Sequence, residues 1–395
     1  MIKILQVWGY YLPIFTGAAI RHNNLTPCLR EQKVEIKVLT PQWHGTSAKE
    51  KINDTLIHRL ALGPIDHKYA HWTWTSLGLC QRLLSWRDKY DIVHAVTTNS
   101  FYAPAFLLAK KLGKPVIIEF TLLRKGNSSA DLLNKAAYSI FRQMDAFIGI
   151  SSPLIQEMNQ KGLPRSKCHL IPGGVDVDLF HPVENSKQKC LREKLNLQKS
   201  VFYLVFIGSF IYRKGIDILI NIMEIFQDLD EAKNIELIII GEHNFSDTHP
   251  AKEFSMEMKK KIKNKKLEKC IHFIGRVNYE KILFWLQASD LFVFPSRREG
   301  LGRVIIEAMS VGLPCLISEL NGIAYDMIES NINGVIVDDY SPRTFVEEII
   351  RLLRNPSLCK KLGSNARETV VNKFNKHDSL KRRIRLYKEL MENYS

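Results

Sequence analysis

What most limits the fold of this chain is a hydrophobic period that switches back and forth. Short apolar runs bounded by turns alternate with longer stretches whose apolar residues recur at helical spacing. Runs suited to strands lie at 3–8, 34–40, 91–96, 115–120 and 146–151, with helix-like stretches between them such as 101–113 and 136–144. Strands alternating with helices predict a parallel sheet covered on both faces. A polar stretch at 185–200 breaks the pattern, which restarts at 201–208, 235–241, 270–275, 290–295, 314–318 and 334–338. We therefore expect an α/β fold of two doubly wound, Rossmann-like domains, 1–184 and 201–376, each able to bury its own core. The linker 185–200 is expected to carry one short helix, and an amphipathic C-terminal helix over 377–395 to pack back on the first domain. Doubly wound sheets bind ligands at the carboxyl edge of their strands. With the two edges facing each other, the cleft between them would be the functional site.

Seven cysteines, an odd number without a CxxC pair, argue against a disulfide scaffold or a paired-cysteine zinc site and suit a reducing cytoplasm. The first residues read as a strand rather than a secretory signal, since Gly9 and Pro13 break the apolar stretch. No window supplies the ~18 uninterrupted apolar residues of a membrane span. Lys and Arg exceed Asp and Glu by 15, a surface that attracts phosphate as nucleotide, nucleic acid or anionic lipid.

The most informative stretch is Phe294 to Pro314, FPSRREGLGRVIIEAMSVGLP. A strand is expected to end at Pro295, and a loop with Gly300 and Gly302 to lead into a helix over 303–311 that stops at Gly312. Backbone N–H groups from Leu301 to Val304, with the positive end of the helix dipole, would form a site for phosphate or sugar hydroxyls. Glu299 stands at the strand exit, and Glu307 lies one turn inside the helix on its apolar face. An ionised carboxylate there needs hydrogen-bond donors. Ligand hydroxyls, as on a ribose, would serve; so would Arg303 one turn back, with Glu299 simply favouring the helix N-terminus.

The Glu-x7-Glu spacing, set in PSRxEGLGxxxxEAMxxGLP, resembles the retaining, nucleotide-sugar-dependent glycosyltransferases of the large GT-B family 4 type. Further matches follow in order: the glycine loop Tyr11–His22, the domain-closing sequence Ile171–Pro182, and the phosphate segment GSFIYRKGID from Gly208 to Asp217. The resemblance implies two domains facing across a cleft and a nucleotide diphosphate sugar as co-substrate, with no other cofactor and no required metal. It implies that Glu299 contacts donor-sugar hydroxyls, that Glu307 holds the ribose, and that amides around Gly300, Leu301, Gly302 and Val304 meet the sugar and pyrophosphate. Lys214 would neutralise the leaving diphosphate. Gly208 and Ser209 open the phosphate segment, Gly17 would let the first loop close on the phosphates, and Arg276 and Val277 fall where the family holds the base.

Two departures stand out. Ser209 occupies the place of the family's usual Arg, so Arg213 beside Lys214 is either a replacement charge or a surface residue. Thr121 follows the strand where the family commonly has an acceptor-side His, leaving Glu119 or Thr121 as candidates for that role. His94 reads as a hydrogen-bonded structural residue, and Asp176-Val-Asp178 as part of a turn. The run 259–269 holds seven lysines and reads as a solvated helix, with lipid or RNA contact as the other reading. The segments 71–86 and 121–127 combine Trp and Leu with Arg and Lys. That pairing fits either tryptophans buried in the core or an interfacial face on an anionic membrane.

The expected activity is therefore transfer of a sugar to a glycan or lipid-linked acceptor with retention, by front-face displacement, in the cytoplasm and at the inner membrane face if 71–86 is interfacial. Nucleic acid is set aside as a partner. The alternatives weighed are a degenerate relative that binds nucleotide or nucleic acid without turnover, and a dinucleotide-dependent dehydrogenase. The latter is disfavoured because no G-x-G-x-x-G follows the first strand.

Overall fold

Strands buried on both faces read as continuous Val/Ile/Leu runs, because helices cover each side of a parallel sheet. The computed structural model, which describes residues 1–14, 17–63, 70–122, 131–246 and 249–394, follows that rule. It divides into unit 1, Met1–Gly173 with His377–Ser395, and unit 2, Gly174–Lys376. Among the described residues, unit 1 holds β1 (Ile2–Trp8), β2 (Val34–Pro41), β3 (Lys49–Ile52), β4 (Thr55–Leu60), β5 (Ile92–Val96), β6 (Val116–Phe120), β7 (Ala146–Gly149) and β8 (Cys168–Leu170). Their order is β3-β4-β2-β1-β5-β6-β7-β8, and β3 alone runs antiparallel, against β4. Unit 2 holds β9 (Phe202–Ile207), β10 (Ile235–Ile240), β11 (Ile271–Gly275), β12 (Leu291–Phe294), β13 (Cys315–Ser318) and β14 (Val335–Val337), parallel in the order β11-β10-β9-β12-β13-β14. In each sheet the winding direction reverses beside the first strand, between β1 and β5 and between β9 and β12. Such reversals open a crevice at the carboxyl edge where ligands bind.

Three strands were not anticipated. The polar edge strand β3 carries lysines and glutamate, as edges that avoid further pairing do. β4 contains His58 and Arg59, and Arg59 is satisfied by Glu50 and by the carbonyls of Ser47 and Leu12. β8 is only three residues long.

The expected linker is not one. Its helix Asn185–Lys194 is anchored in unit 2 by the buried Arg192, which donates to Ala288 O at 2.9 Å and pairs with Asp290 at 2.5 Å. Residues 174–184 also belong to unit 2 rather than to the first domain: Val175 bridges Asn375, and Phe180 O accepts from Ser310 Oγ at 2.7 Å. These polar residues satisfy carbonyls and carboxylates of their own unit, so a polar composition did not mean a solvated tether.

The C-terminal helix Lys376–Glu392 completes unit 1. Leu380, Ile384, Tyr387 and Leu390 join the core that holds Ile4, Leu25 and Val38. At its centre lies Glu119, fully enclosed at the end of β6. It takes Arg383 Nη1 at 2.7 Å, His94 Nε2 at 3.1 Å, His22 Nε2 at 3.3 Å, and Arg21 in close contact. Tyr387 hydroxyl meets His94 Nδ1 at 2.8 Å. An acceptor-side role for Glu119 is thereby overturned, since both carboxylate oxygens are consumed inside the protein. Burial alone would raise its pKa, but Arg21 and Arg383 hold it well below the usual carboxylate range. Burial pushes His22 down to about 3 and lowers His94, so both imidazoles are neutral. His94 is the structural residue the sequence suggests.

The helix Ala70–Ser85 divides the aromatic and apolar residues of 71–86 between core and surface. Trp86 is in the core and Trp72 is half-buried, whereas Trp74, Leu77 and Leu84 stand exposed along one helical stripe. Residues 123–127 of the companion segment lie outside the described residues. The lysine run is tied down within the helix Lys252–Asn264 and just beyond it: Met258 and Ile262 are buried, and Lys261 and Lys265 both pair with Glu224.

Candidate functional site

At the β9/β12 reversal, three strand exits approach backbone to backbone. Gly215 follows the turn Tyr212–Lys214 with φ 74°, and a Cβ there would lie 2.0 Å from Pro295 O. Gly241 after β10 has φ 145°, and its Cβ would lie 2.1 Å from Gly208 O. Only glycine lets these loops come so close.

This closeness brings together residues 85 positions apart. Glu299 Oε1 accepts from Lys214 Nζ at 2.6 Å, Ser296 Oγ at 2.8 Å and Arg213 Nη1 at 3.1 Å. All three bonds converge on one carboxylate oxygen. Arg213 is thus not a free surface charge; it also donates to Arg298 O and is half-buried. Burial would raise the Glu299 pKa, but Lys214 and then Arg213 outweigh it and hold the carboxyl below its ordinary value. Burial lowers Lys214 against the opposing pull of Glu299. Lys214 Nζ also stands 4.9 Å from the centre of the Phe294 ring.

Gly302, at φ 74°, ends the β12 loop and opens the helix Arg303–Ser310. The first-turn N–H groups have no earlier helical carbonyl to reach. Gly300 and Leu301 are buried and Val304 half-buried beside them. Glu307 is buried on the apolar face, and Arg303 Nε meets it at 2.8 Å. Arg303 Nη2 in turn donates to the Tyr279 hydroxyl at 2.5 Å. The Arg303 pairing weighed from the sequence is therefore present. Burial raises the Glu307 pKa, and Arg303 opposes it.

The other expected residues are more scattered. Gly208 and Ser209 lie half-buried at the β9 exit, where Ser209 O accepts from Ile211 N at 2.9 Å. Arg276 and Val277 follow β11, two strands away; Arg276 is over half exposed and pairs with Glu242 at 2.6 Å. Gly17 begins the helix Gly17–Glu31 in unit 1, where an added Cβ would meet nothing within 4 Å. Thr121 is half-buried just past β6. Sequence reasoning missed Ser296 and Tyr279, both of which touch the charged groups. Ser296 stood inside the quoted motif, but Tyr279 had no local signal. Among the described residues no cluster of three His, Cys, Asp or Glu side chains could hold a metal ion, and no helix is long and apolar enough to cross a membrane.

Comparison with known proteins bears on this arrangement. Residues 187–369 match the family model of glycosyl transferases group 1, and residues 15–179 match that of glycosyltransferase family 4. An uncharacterized glycosyltransferase of Methanocaldococcus jannaschii is 24% identical over 99% of both chains. Among solved structures, sucrose-phosphate synthase from Thermosynechococcus elongatus superimposes with a TM-score of 0.83 at 20% identity, covering 100% of each chain. Anabaena HepE, solved with UDP and glucose, does so with a TM-score of 0.78 at 18% identity over 98% of this chain and 100% of its own. The fold is GT-B, two Rossmann-like α/β domains.

Proposed function

The chain belongs to the group 1, family 4 glycosyltransferases, and from that premise we propose that it moves a sugar from a nucleotide diphosphate sugar to a glycan or lipid-linked acceptor with retention of configuration. The observation that carries the reading is the convergence of Lys214, Arg213 and Ser296 on Glu299 Oε1 at the strand-order reversal. It leaves Oε2 to accept a donor-sugar hydroxyl, and it keeps two cations beside the place where a diphosphate would sit against the first-turn amides of Gly302 to Val304. Those cations supply the positive charge the departing diphosphate needs, without a required metal or a further cofactor. Glu307, held by Arg303 and Tyr279, faces the ribose; Gly208 and Ser209 approach the phosphates, and Arg276 and Val277 the base. The HepE complex with UDP and glucose supports a nucleotide donor.

In front-face displacement the acceptor hydroxyl forms its bond to the anomeric carbon on the side from which the diphosphate leaves. The bond to the diphosphate breaks with its electron pair on the phosphate oxygen, which takes the hydroxyl proton. The exposed stripe Trp74, Leu77 and Leu84 supports an anionic membrane face for the lipid-linked case. A panel of nucleotide sugars tests the proposal through thermal stabilisation and release of nucleoside diphosphate. One donor should stabilise the chain and be hydrolysed, and Glu299→Ala should abolish the hydrolysis. Stabilisation without turnover would identify a binder instead.

A further inference from the structure

Unit 1 has its own reversal point, between β1 and β5, and a wall of aromatic rings stands beside it. Tyr10 follows β1, Trp43 follows β2, and Tyr102 comes shortly after β5; His71 and Trp72 open the helix Ala70–Ser85. Tyr10 stacks on Trp43 with ring centres 4.7 Å apart and planes 10° from parallel. Trp43 meets His71 at 5.4 Å and Trp72 at 5.9 Å edge-on, and Trp72 meets Tyr102 at 6.0 Å. The Trp43 indole is fixed by donating Nε1–H to Gly9 O at 3.2 Å.

The wall runs from core to surface. Tyr102 is 1% exposed, Trp43 is half-buried, and Tyr10 is 46% exposed. Core packing accounts for the inner rings but not for Tyr10, a large flat ring held parallel to its neighbour at the surface. Polar residues stand beside Gly9, the neighbour of Tyr10 in the chain. Thr97, Thr98, Asn99 and Ser100 leave β5 half-buried, and Thr97 Oγ1 lies 3.5 Å from where a Cβ on Gly9 would stand. A rigid aromatic face beside hydroxyl and amide groups matches a ligand with an apolar face and a polar rim. A pyranose has that form, with axial C–H bonds on its face and hydroxyls around its edge. An acyl chain would leave the polar side of the crevice unmatched.

We propose that Tyr10 and Trp43 form a stacking platform for a pyranose ring of the acceptor, which makes the acceptor a glycan at this point of contact. The platform rests on the glycosyltransferase reading, which requires an acceptor as well as a donor. Saturation-transfer difference NMR on the full chain tests it, with methyl pyranosides of glucose, galactose, mannose and N-acetylglucosamine as probes, alone and with UDP. At least one pyranoside should receive saturation most strongly at its ring C–H groups. Tyr10→Ala should weaken that binding at least tenfold, and Tyr10→Phe should restore it, because stacking needs the ring and not the hydroxyl. Thermal stabilisation by UDP should be the same in all three proteins, which also shows that the variants are folded. No pyranoside signal in the parent chain, or equal binding by Tyr10→Ala, would overturn the platform. So would loss of binding to anionic phospholipid vesicles in Tyr10→Ala without any sugar binding. Pyranoside binding with no response to any nucleotide or nucleotide sugar would sink the donor reading and leave the platform standing.

Discussion

Replacing Arg383 by Met keeps the buried stem and removes the charge that reaches Glu119 from the C-terminal helix. Arg383 and Glu119 are both 0% exposed, so the loss leaves a carboxylate in the core with Arg21 as its remaining cation. Breaking a buried pair by removing one partner costs about 3–5 kcal/mol. Because Arg21 and the two histidines still hold Glu119, the lower end, about 3 kcal/mol, is expected. For a unit of this size that corresponds to a fall in Tm of roughly 6–12 °C. Five of the six tryptophans (8, 43, 72, 74 and 86) lie in unit 1, so urea unfolding followed by tryptophan fluorescence reports mainly on the affected unit. The pH dependence has a definite sign. Glu119 titrates lower in the folded state than in the unfolded one, so its contribution is present above the unfolded pKa and is lost as pH falls through the folded value. The deficit of the variant should therefore be full at pH 7 and shrink at pH values below about 4.5. A deficit under about 1 kcal/mol, or one that grows on acidification, would refute the claim that this charge pair seats the helix.

Other consequences can be measured directly. Lys214→Met should lower kcat for diphosphate release by about 10²–10³, the usual effect of losing one preorganised charge. It should also move the acidic limb of the pH profile upward, because Glu299 loses its closest cation; an unchanged limb would deny that contact. Gly215→Ala forces a side chain to φ 74° against Pro295 O and should cost more than about 1 kcal/mol in a denaturant titration, along with nucleotide-induced stabilisation. His22 and His94 are depressed in the folded state, so the unfolded chain binds more protons below about pH 6.5. Unit 1 should then lose up to about 1.4 kcal/mol per pH unit on account of His22 as pH falls toward 5, with His94 adding to the loss, and a flat urea midpoint over that range would contradict their burial as neutral rings.

The fold class was legible because strands covered on both faces leave an unmistakable run of branched apolar residues, as in β6 and β10. Edge strand β3 was not, since a strand with solvent on one side and no outer neighbour has no such run. Around the candidate site, the spacing of Glu299 and Glu307 could be read from the chain, as could the Arg213-Lys214 pair. Their meeting at one carboxylate oxygen could not, because it depends on how closely Gly215 lets two strand exits approach. Tyr279 lies 24 residues from Arg303 and was invisible for the same reason. Glu119 misled in the other direction: a carboxylate at a strand exit resembles a ligand group, and only its partners from positions 21, 22, 94 and 383 show it to be part of the core.

The helix Lys376–Glu392 bears on the order of events at the ribosome. Residues 377–394 emerge after the whole of unit 2, yet they carry Arg383 and Tyr387 into the interior of unit 1. The second half of the chain can therefore acquire its native form during synthesis while the first half waits for residues 377–394, with Glu119 held by Arg21 and still without Arg383.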